Sequence, residues 1–446
     1  MAKNLFFLIL LFFCLLSEPC SFSKSGFLFF MNNKSVNILN KFIGDDNKST
    51  NEITLLVTNN SNYDIKDFLI KVPIQNISKK YPDFRAEYCI VMEANQEIPS
   101  QVIDDDDDNK ADYIVFAVTI NKKEVIEYQF FQTSLINKER NYPKRTQAEL
   151  SCKFGGRFEK RKDDSEKYEY VGGEFKNVNF LKVPPEHTDH SWYIRYEGPG
   201  WESDKVGYRF YLDWRNAIDI FGKCTNEMIL HKVGLNDFES YHKMNNWGMD
   251  IFKVGNSLGI GSIAMWDNNK TVKISSADST ICYIKDNGVL YSSIETKFYG
   301  WKVENSKYDV VSKLSINAGS RITTHVVSVN NNNILLCTGF IRDTNADTIV
   351  IKTDKKWSCI ASWGKQSLND DNLGIAVFYM NKECLKITSD ELNYIVVLKP
   401  NNGSTEYKFL AAWEKEPNGI KNKSEFIEFL QKELELLNNP CEIYIK

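Results

Sequence analysis

Apolar and polar residues alternate along most of this chain in short runs, separated by Asn, Asp, Gly and Lys. Alternation with a period of two sends one side of a run into a core and the other away from it. The pattern therefore predicts many antiparallel strands. Such runs occupy residues 53–57, 67–72, 113–118, 125–131, 192–196, 206–212, 348–351, 374–379 and 394–398. A helical period appears clearly once, near the end. There Asn422 and Ser424 can cap a run that puts Phe426, Phe429, Leu430, Leu434 and Leu437 on one face, and Pro440 stops it. The expected class is all-β with one C-terminal helix. Polar residues 137–146 read as a join between an N-terminal β region at 27–135 and a larger β domain at 150–446 that carries the candidate site. No repeat of solenoid or propeller period is present.

Residues 5–16 break the alternation with an unbroken apolar run behind Lys3, and polar Ser17 and Glu18 follow at once. A basic head and a hydrophobic stretch too short to span a bilayer read as a secretory signal peptide over residues 1–20, with a membrane anchor as the rival. Lipid attachment at Cys20 is disfavoured, because Ser17-Glu18-Pro19 lacks the small residues such processing needs. The expected location is secreted or periplasmic, with no stable membrane span. Net charge is −4, and loss of Lys3 and Glu18 together leaves it unchanged, so electrostatics offer no case for nucleic acid. Eight cysteines lie beyond Cys20, widely spaced and without a C-x-x-C pair, which argues against a zinc cluster.

Two short motifs invite chemistry. In DDDDDNKAD, Asp104, Asp106, Asp108 and Asp112 fall at loop positions one, three, five and nine, a spacing that can wrap Ca²⁺ in oxygen ligands. Val115 stands where an EF-hand carries its Glu, and Asn109 where it carries Gly, so a solvated acidic turn competes with the ion. No cofactor is expected for catalysis itself. Gly255-Asn256-Ser257-Leu258-Gly259 matches the G-x-S-x-G elbow of serine hydrolases, which needs a helix after it. The residues that follow, 260–266, are glycine-bearing and strand-like, so Ser257 is expected in a turn between strands.

The densest stretch is WYIRYEGPGWESDKVGYRFYLDWRNAID, residues 192–219. Read as two strands around Gly198-Pro199-Gly200, it puts Tyr193, Arg195 and Glu197 on one face of the first strand. Arg209, Tyr211, Asp213 and Arg215 share a face of the second. Trp201 lies nearby, and His187 and His190 precede them as H-x-x-H, a weak metal pattern by itself. A ladder of cross-strand ion pairs is the plain alternative. Arginine forks bind carboxylates in bidentate fashion and aromatic faces can stack on sugars, so the mixture suits an acidic sugar. His242, in Ser240-Tyr241-His242, adds a candidate proton-transfer group.

The run continues into IFGK and then VGLNDFESYHKMNNWGMDIFKVGNSLGIG. Together with ITLLVTNNSNYD and DDDDDNKADYIVFAV nearer the N-terminus, it resembles a secreted bacterial family known only as a domain of unknown function, family 4861. The resemblance covers most of the chain beyond the signal segment. That family is found in polysaccharide-utilisation clusters of Bacteroidota beside enzymes acting on uronic-acid sugars, and this implies acidic-polysaccharide breakdown by lyase-like β-elimination or dehydration. The acidic loop departs from the family in lacking a glycine, which weakens the ion, and the cysteine count is high. The expected architecture is a large antiparallel β-sandwich, supersandwich-like as in carbohydrate lyases and mutarotase-like proteins. The leading expectation is an enzyme, a lyase or dehydratase, acting on a uronate-containing oligosaccharide. Arg195, Arg209 and Arg215 would hold the carboxylate, with Trp201, Glu197 and Asp213 in the binding surface. His190, His242, Tyr193 and Tyr211 would supply base and acid. The rivals are a non-catalytic glycan binder and a glycoside hydrolase using Glu197 with Asp213.

Overall fold

A computed structural model describes residues 52–132, 141–236 and 239–446. The expected signal segment at 1–20 and part of the expected join, 137–140, lie outside the described residues. Strands dominate, and every strand pair in the sheets is antiparallel. The expected all-β class with a C-terminal helix is what the chain adopts.

A nine-stranded sheet forms the backbone of the molecule. It runs from Phe180–Lys182 at one edge through the long strands Tyr291–Val303 and Ser306–Asn317 to Ala346–Ile351 at the other. A five-stranded sheet packs on it, in the order Gly248–Asp250, Ile218–Lys223, Val206–Phe210, Gly200–Ser203, Thr146–Glu149. Their facing side chains, among them Ile218, Ile220, Phe210, Phe298, Leu314 and Phe409, share one core. A further five-stranded sheet built around Leu336–Ile341 and Asn393–Leu398 sends Leu336, Phe340, Val396 and Leu398 into the same core. This layered packing of inner faces is how antiparallel strands bury their apolar sides.

The helix Lys423–Asn438 is capped as its sequence predicts, with Asn422 Oδ1 accepting from Glu425 N at 3.0 Å. Phe426, Leu430 and Leu434 are buried against Trp357, Cys359 and Trp363, with Phe429 and Leu437 packed at the margin. Each such side chain contributes about 1.5–3 kcal/mol on burial. No helix among the described residues is long and apolar enough to cross a membrane.

A separate core holds the strands at 52–132, including Val57, Phe116, Tyr128 and Phe130. Its sheet is completed by the last strand of the chain, Glu442–Ile445, which pairs with Glu52–Thr58. Arg145, at the end of the expected join, is fixed: it donates to Asp67 on one side and to Asp204 on the other. The seven cysteines from Cys152 to Cys441 are free thiols.

Candidate functional site

The five-stranded sheet turns Val206, Tyr208 and Phe210 into the core. Tyr208 anchors it there, its hydroxyl donating to the Arg321 carbonyl and accepting from Ala411 N, both at 2.9 Å. Strand alternation then sends Arg209 to the opposite face. Register sets Glu149, Gly200, Arg209 and Asp219 side by side across four strands, and pairs Asp250 with Phe221 one strand further on. Loop residues around Tyr196, Glu197 and Tyr241 close over this row. The charges are therefore buried, and buried charges persist only when paired and hydrogen-bonded.

Arg209 is 2% exposed and fully engaged. Its Nε and Nη2 lie 3.2 and 2.8 Å from Asp219 Oδ2, Nη2 also reaches Asp250 Oδ2, and Nη1 donates to the Tyr241 hydroxyl at 3.1 Å. The Tyr211 hydroxyl donates to the same Asp219 oxygen. Above this layer, His242 is half-exposed and sets Nε2 3.3 Å from Asp250 Oδ2. Glu197 links the layer to Arg215: its Oε1 lies 2.9 Å from Arg215 Nη2 and accepts from the His190 backbone N–H at 2.8 Å, while Oε2 is 3.9 Å from Arg209. Arg215 also forks onto Asp213.

Burial, reinforced by Asp250, pushes Asp219 up to about 6 although Arg209 pulls it down. Burial alone would raise Glu197 too, but Arg215 and Arg209 outweigh it and hold its carboxyl below the ordinary value. The hydrogen bond to Asp250 raises His242, and the one to Asp189 raises His190. A half-exposed imidazole held by a buried carboxylate can take up and release a proton at a surface, with its orientation set by the partner behind it.

Seven of the residues singled out in the sequence meet here: Arg209, Tyr211, Arg215, Glu197, Asp213 and His242, with His190 joined through its backbone and Asp189. Other expectations need correction. Residues 192–196 are not a strand. The backbone turns instead, with positive φ at His190, Trp192, Tyr196 and Glu197, and a short 3-10 turn at Arg195–Glu197. The ring of Tyr196 lies against Gly200, where any side chain would meet its hydroxyl at 2.7 Å, so the segment folds over the sheet rather than pairing as a hairpin arm.

Trp201 offers no stacking face: it is 1% exposed, stacks on Tyr208, and donates to Thr323 at 2.9 Å. Tyr193 packs with Phe158 and Tyr170, ring centroids 5.0 Å apart. Arg195 forms its own buried group with Glu149, which also accepts from Tyr196 at 2.6 Å. Arg195 and Arg209 therefore lie beneath the surface, not on it, each paired with internal carboxylates.

Asp219, Asp250, Tyr241 and Glu149 were missed. A signal existed for the two aspartates. Asp219-Ile220-Phe221 and Asp250-Ile251-Phe252 each set a carboxylate inside an apolar, strand-like run. A charge there must be paired, or its run must not be buried.

In the acidic loop, Asp104, Asp106 and Asp108 bring carboxylate oxygens within 4.8 Å of one another. Asp112 does not join them; its Oδ2 accepts from Asp105 N at 2.7 Å. Asp104 accepts from the backbone N–H groups of Asp107 and Asn109, which closes the turn. Ser257 is buried, donates to the Val254 carbonyl at 2.6 Å and accepts from Gly259 N at 2.9 Å, the work of a turn residue.

Comparison with known proteins gives one curated relative, an uncharacterized protein P7 from Formosa agariphila, 25% identical over 299 residues covering 60% of this chain and 70% of that protein. Among solved structures, an alpha-mannosidase from Enterococcus faecalis V583 aligns with a TM-score of 0.41 at 8% identity, covering 89% of this chain and 46% of that one. A glycosyl hydrolase family 38 protein from Enterococcus faecalis aligns with a TM-score of 0.41 at 9% identity, covering 89% and 47%. The chain spans less than half the length of either. A family model matches residues 57–443, and the chain belongs to that family, the domain of unknown function DUF4861.

Proposed function

We propose that this chain is a carbohydrate-active enzyme that acts on uronate-containing oligosaccharides by β-elimination or dehydration, with His242 as the proton-transfer group. The observation that carries the reading is the half-exposed His242 imidazole seated on Asp250, which also accepts from the buried Arg209. In such a reaction the carbon beside the carboxylate gives up its proton to a base. The electron pair forms the double bond, and the departing oxygen leaves with a proton from an acid. Neutral His242 supplies the base. Its Nε2 faces Asp250, so the carboxylate stabilises the imidazolium as it forms. The cation of this network nearest the surface, Arg215, supplies charge for the substrate carboxylate and its developing enolate, with His190 beside it on Glu197. Glu197 and Asp213 are both buried and both tied to Arg215, which argues against that pair as the carboxylates of a hydrolase.

The test is incubation with a panel of uronate-ended oligosaccharides followed by mass spectrometry, for the natural chain and for His242→Ala. Loss of one water, or cleavage with an unsaturated end, supports the reading when His242→Ala abolishes it. Cleavage with gain of water, or full turnover by the variant, overturns it.

A further inference from the structure

Beside the charged network lies a cavity of about 200 Å³ that the proton-transfer chemistry does not use. Its walls include Pro184, Leu212 and Phe298, and its polar lining includes His187, Asp213, Asn216 and, at the rim, Trp214. We infer that this cavity is a subsite for a single pyranose ring, with the indole of Trp214 as its platform. The inference rests on the carbohydrate reading above and extends it to residues outside the proton-transfer group.

Trp214 sits in the connection between Val206–Phe210 and Ile218–Lys223, and is 41% exposed. What sets this ring apart is its place beside a cavity, where a ligand can cover it. This one is also held in place. Its Nε1 donates to Asp189 Oδ1 at 3.0 Å, and Lys273 Nζ stands over the ring 5.7 Å from the centroid. A fixed indole presents a flat apolar face, and the C–H face of a pyranose matches it without loss of side-chain freedom on binding.

The floor supplies the second, independent observation. Asn216 is 1% exposed, yet its Oδ1 has no hydrogen-bond partner. His187 is not in the same position, since its Nδ1 shares a hydrogen bond with Ser191 Oγ at 2.8 Å and its ring also meets the Glu197 backbone. Buried polar atoms are almost always satisfied, and an unpartnered amide oxygen on a residue that lines a cavity points to a partner that arrives with a ligand. A ring hydroxyl suits it, since it can donate to an amide oxygen. The volume lies below the ~300 Å³ at which pockets for drug-sized ligands begin, which limits the subsite to one ring. Asp213 lines this cavity and also binds Arg215, so the ring held here would be joined to the residue presented to His242 and Arg215.

The test is ligand-observed saturation-transfer NMR with methyl β-glucuronide and methyl β-glucoside on the whole chain, for the natural protein, Trp214→Ala, Trp214→Phe, Asn216→Ala and His242→Ala. Transfer to at least one glycoside in the natural protein is expected. It should fall at least tenfold in Trp214→Ala and Asn216→Ala, and persist in Trp214→Phe and His242→Ala. The two glycosides distinguish an acidic from a neutral occupant. Absence of transfer in the natural protein, or equal transfer in Trp214→Ala, overturns the subsite. Turnover lost in His242→Ala with transfer unchanged by Trp214→Ala would leave the proton-transfer reading standing alone. Transfer lost in Trp214→Ala with no oligosaccharide consumed would leave the subsite standing alone.

Discussion

His242 and Arg209 share one acceptor: His242 Nε2 lies 3.3 Å from the Asp250 oxygen to which Arg209 Nη2 also donates. Arg209 is buried and His242 half-exposed, so Asp250 couples a fixed internal charge to an imidazole that can change its own. Replacing His242 by Ala should lower kcat by on the order of 10²–10⁴ and leave KM largely intact, as expected for a group acting in proton transfer. Steady-state kinetics on the substrate found by the mass-spectrometric panel measure both constants.

The pH dependence follows from the same contact. Asp250 raises His242 above its ordinary 6.5, so the base form gains population only as pH climbs through that raised value, and activity should rise on that limb. The contact also contributes to stability. That contribution is fully present below pH 6.5 and is lost as pH rises through the raised value. Asp250→Asn removes the anion, so the activity limb should move to lower pH. An unchanged pH–rate profile in that variant would show that His242 is not the titrating group.

Arg209 is the keystone of the buried layer. Arg209→Met leaves Asp219 and Asp250 facing each other in the interior, and should cost about 3–5 kcal/mol in urea unfolding. Arg209→Lys keeps the charge but cannot reach two carboxylates and Tyr241 from one plane, and it should also destabilise. The double variant Asp219→Asn with Arg209→Met should recover part of the loss.

Trp201 supplies a contrast with Trp214. Trp201→Ala opens a cavity in the core and frees Thr323, so it should cost about 3–5 kcal/mol in stability. At temperatures where the variant stays folded, sugar binding should be unaffected.

Asp104 holds its loop by accepting two backbone N–H groups, from Asp107 and Asn109. Asp104→Ala should lower stability by about 1–2 kcal/mol, read as a shift in thermal midpoint. Asp106→Ala, whose carboxylate accepts from Asp108 N alone at 3.1 Å, should cost less.

What was legible in the sequence followed from period and capping. The strand at Val206–Phe210, read from the sequence as 206–212, and the direction of Arg209 away from the core face of Tyr208 and Phe210 came from alternation, and the final helix from Asn422 and its apolar stripe. The segment 192–196 alternates just as well, yet its backbone takes positive φ at Trp192 and Tyr196, because packing of Tyr196 over Gly200 outweighs strand propensity. The three arginines of this stretch drew attention to it but did not reveal the burial of their charges. That depends on Asp219 and Asp250, which lie on two neighbouring strands and converge on Arg209 only once register is set. Trp214 and Trp201 look alike in the sequence. Only the fold puts one at a rim and the other in a core.

The pairing of Glu442–Ile445 with Glu52–Thr58 bears on how the molecule is made. During synthesis Glu52–Thr58 emerges long before Glu442–Ile445 exists, and it must wait with that edge open until the distant segment has been made. An open strand edge invites pairing with other chains, and contacts between such distant segments form slowly. Loss of the strand Glu442–Ile445 would therefore be felt first as poor yield and aggregation during production, and only afterwards as a weaker fold.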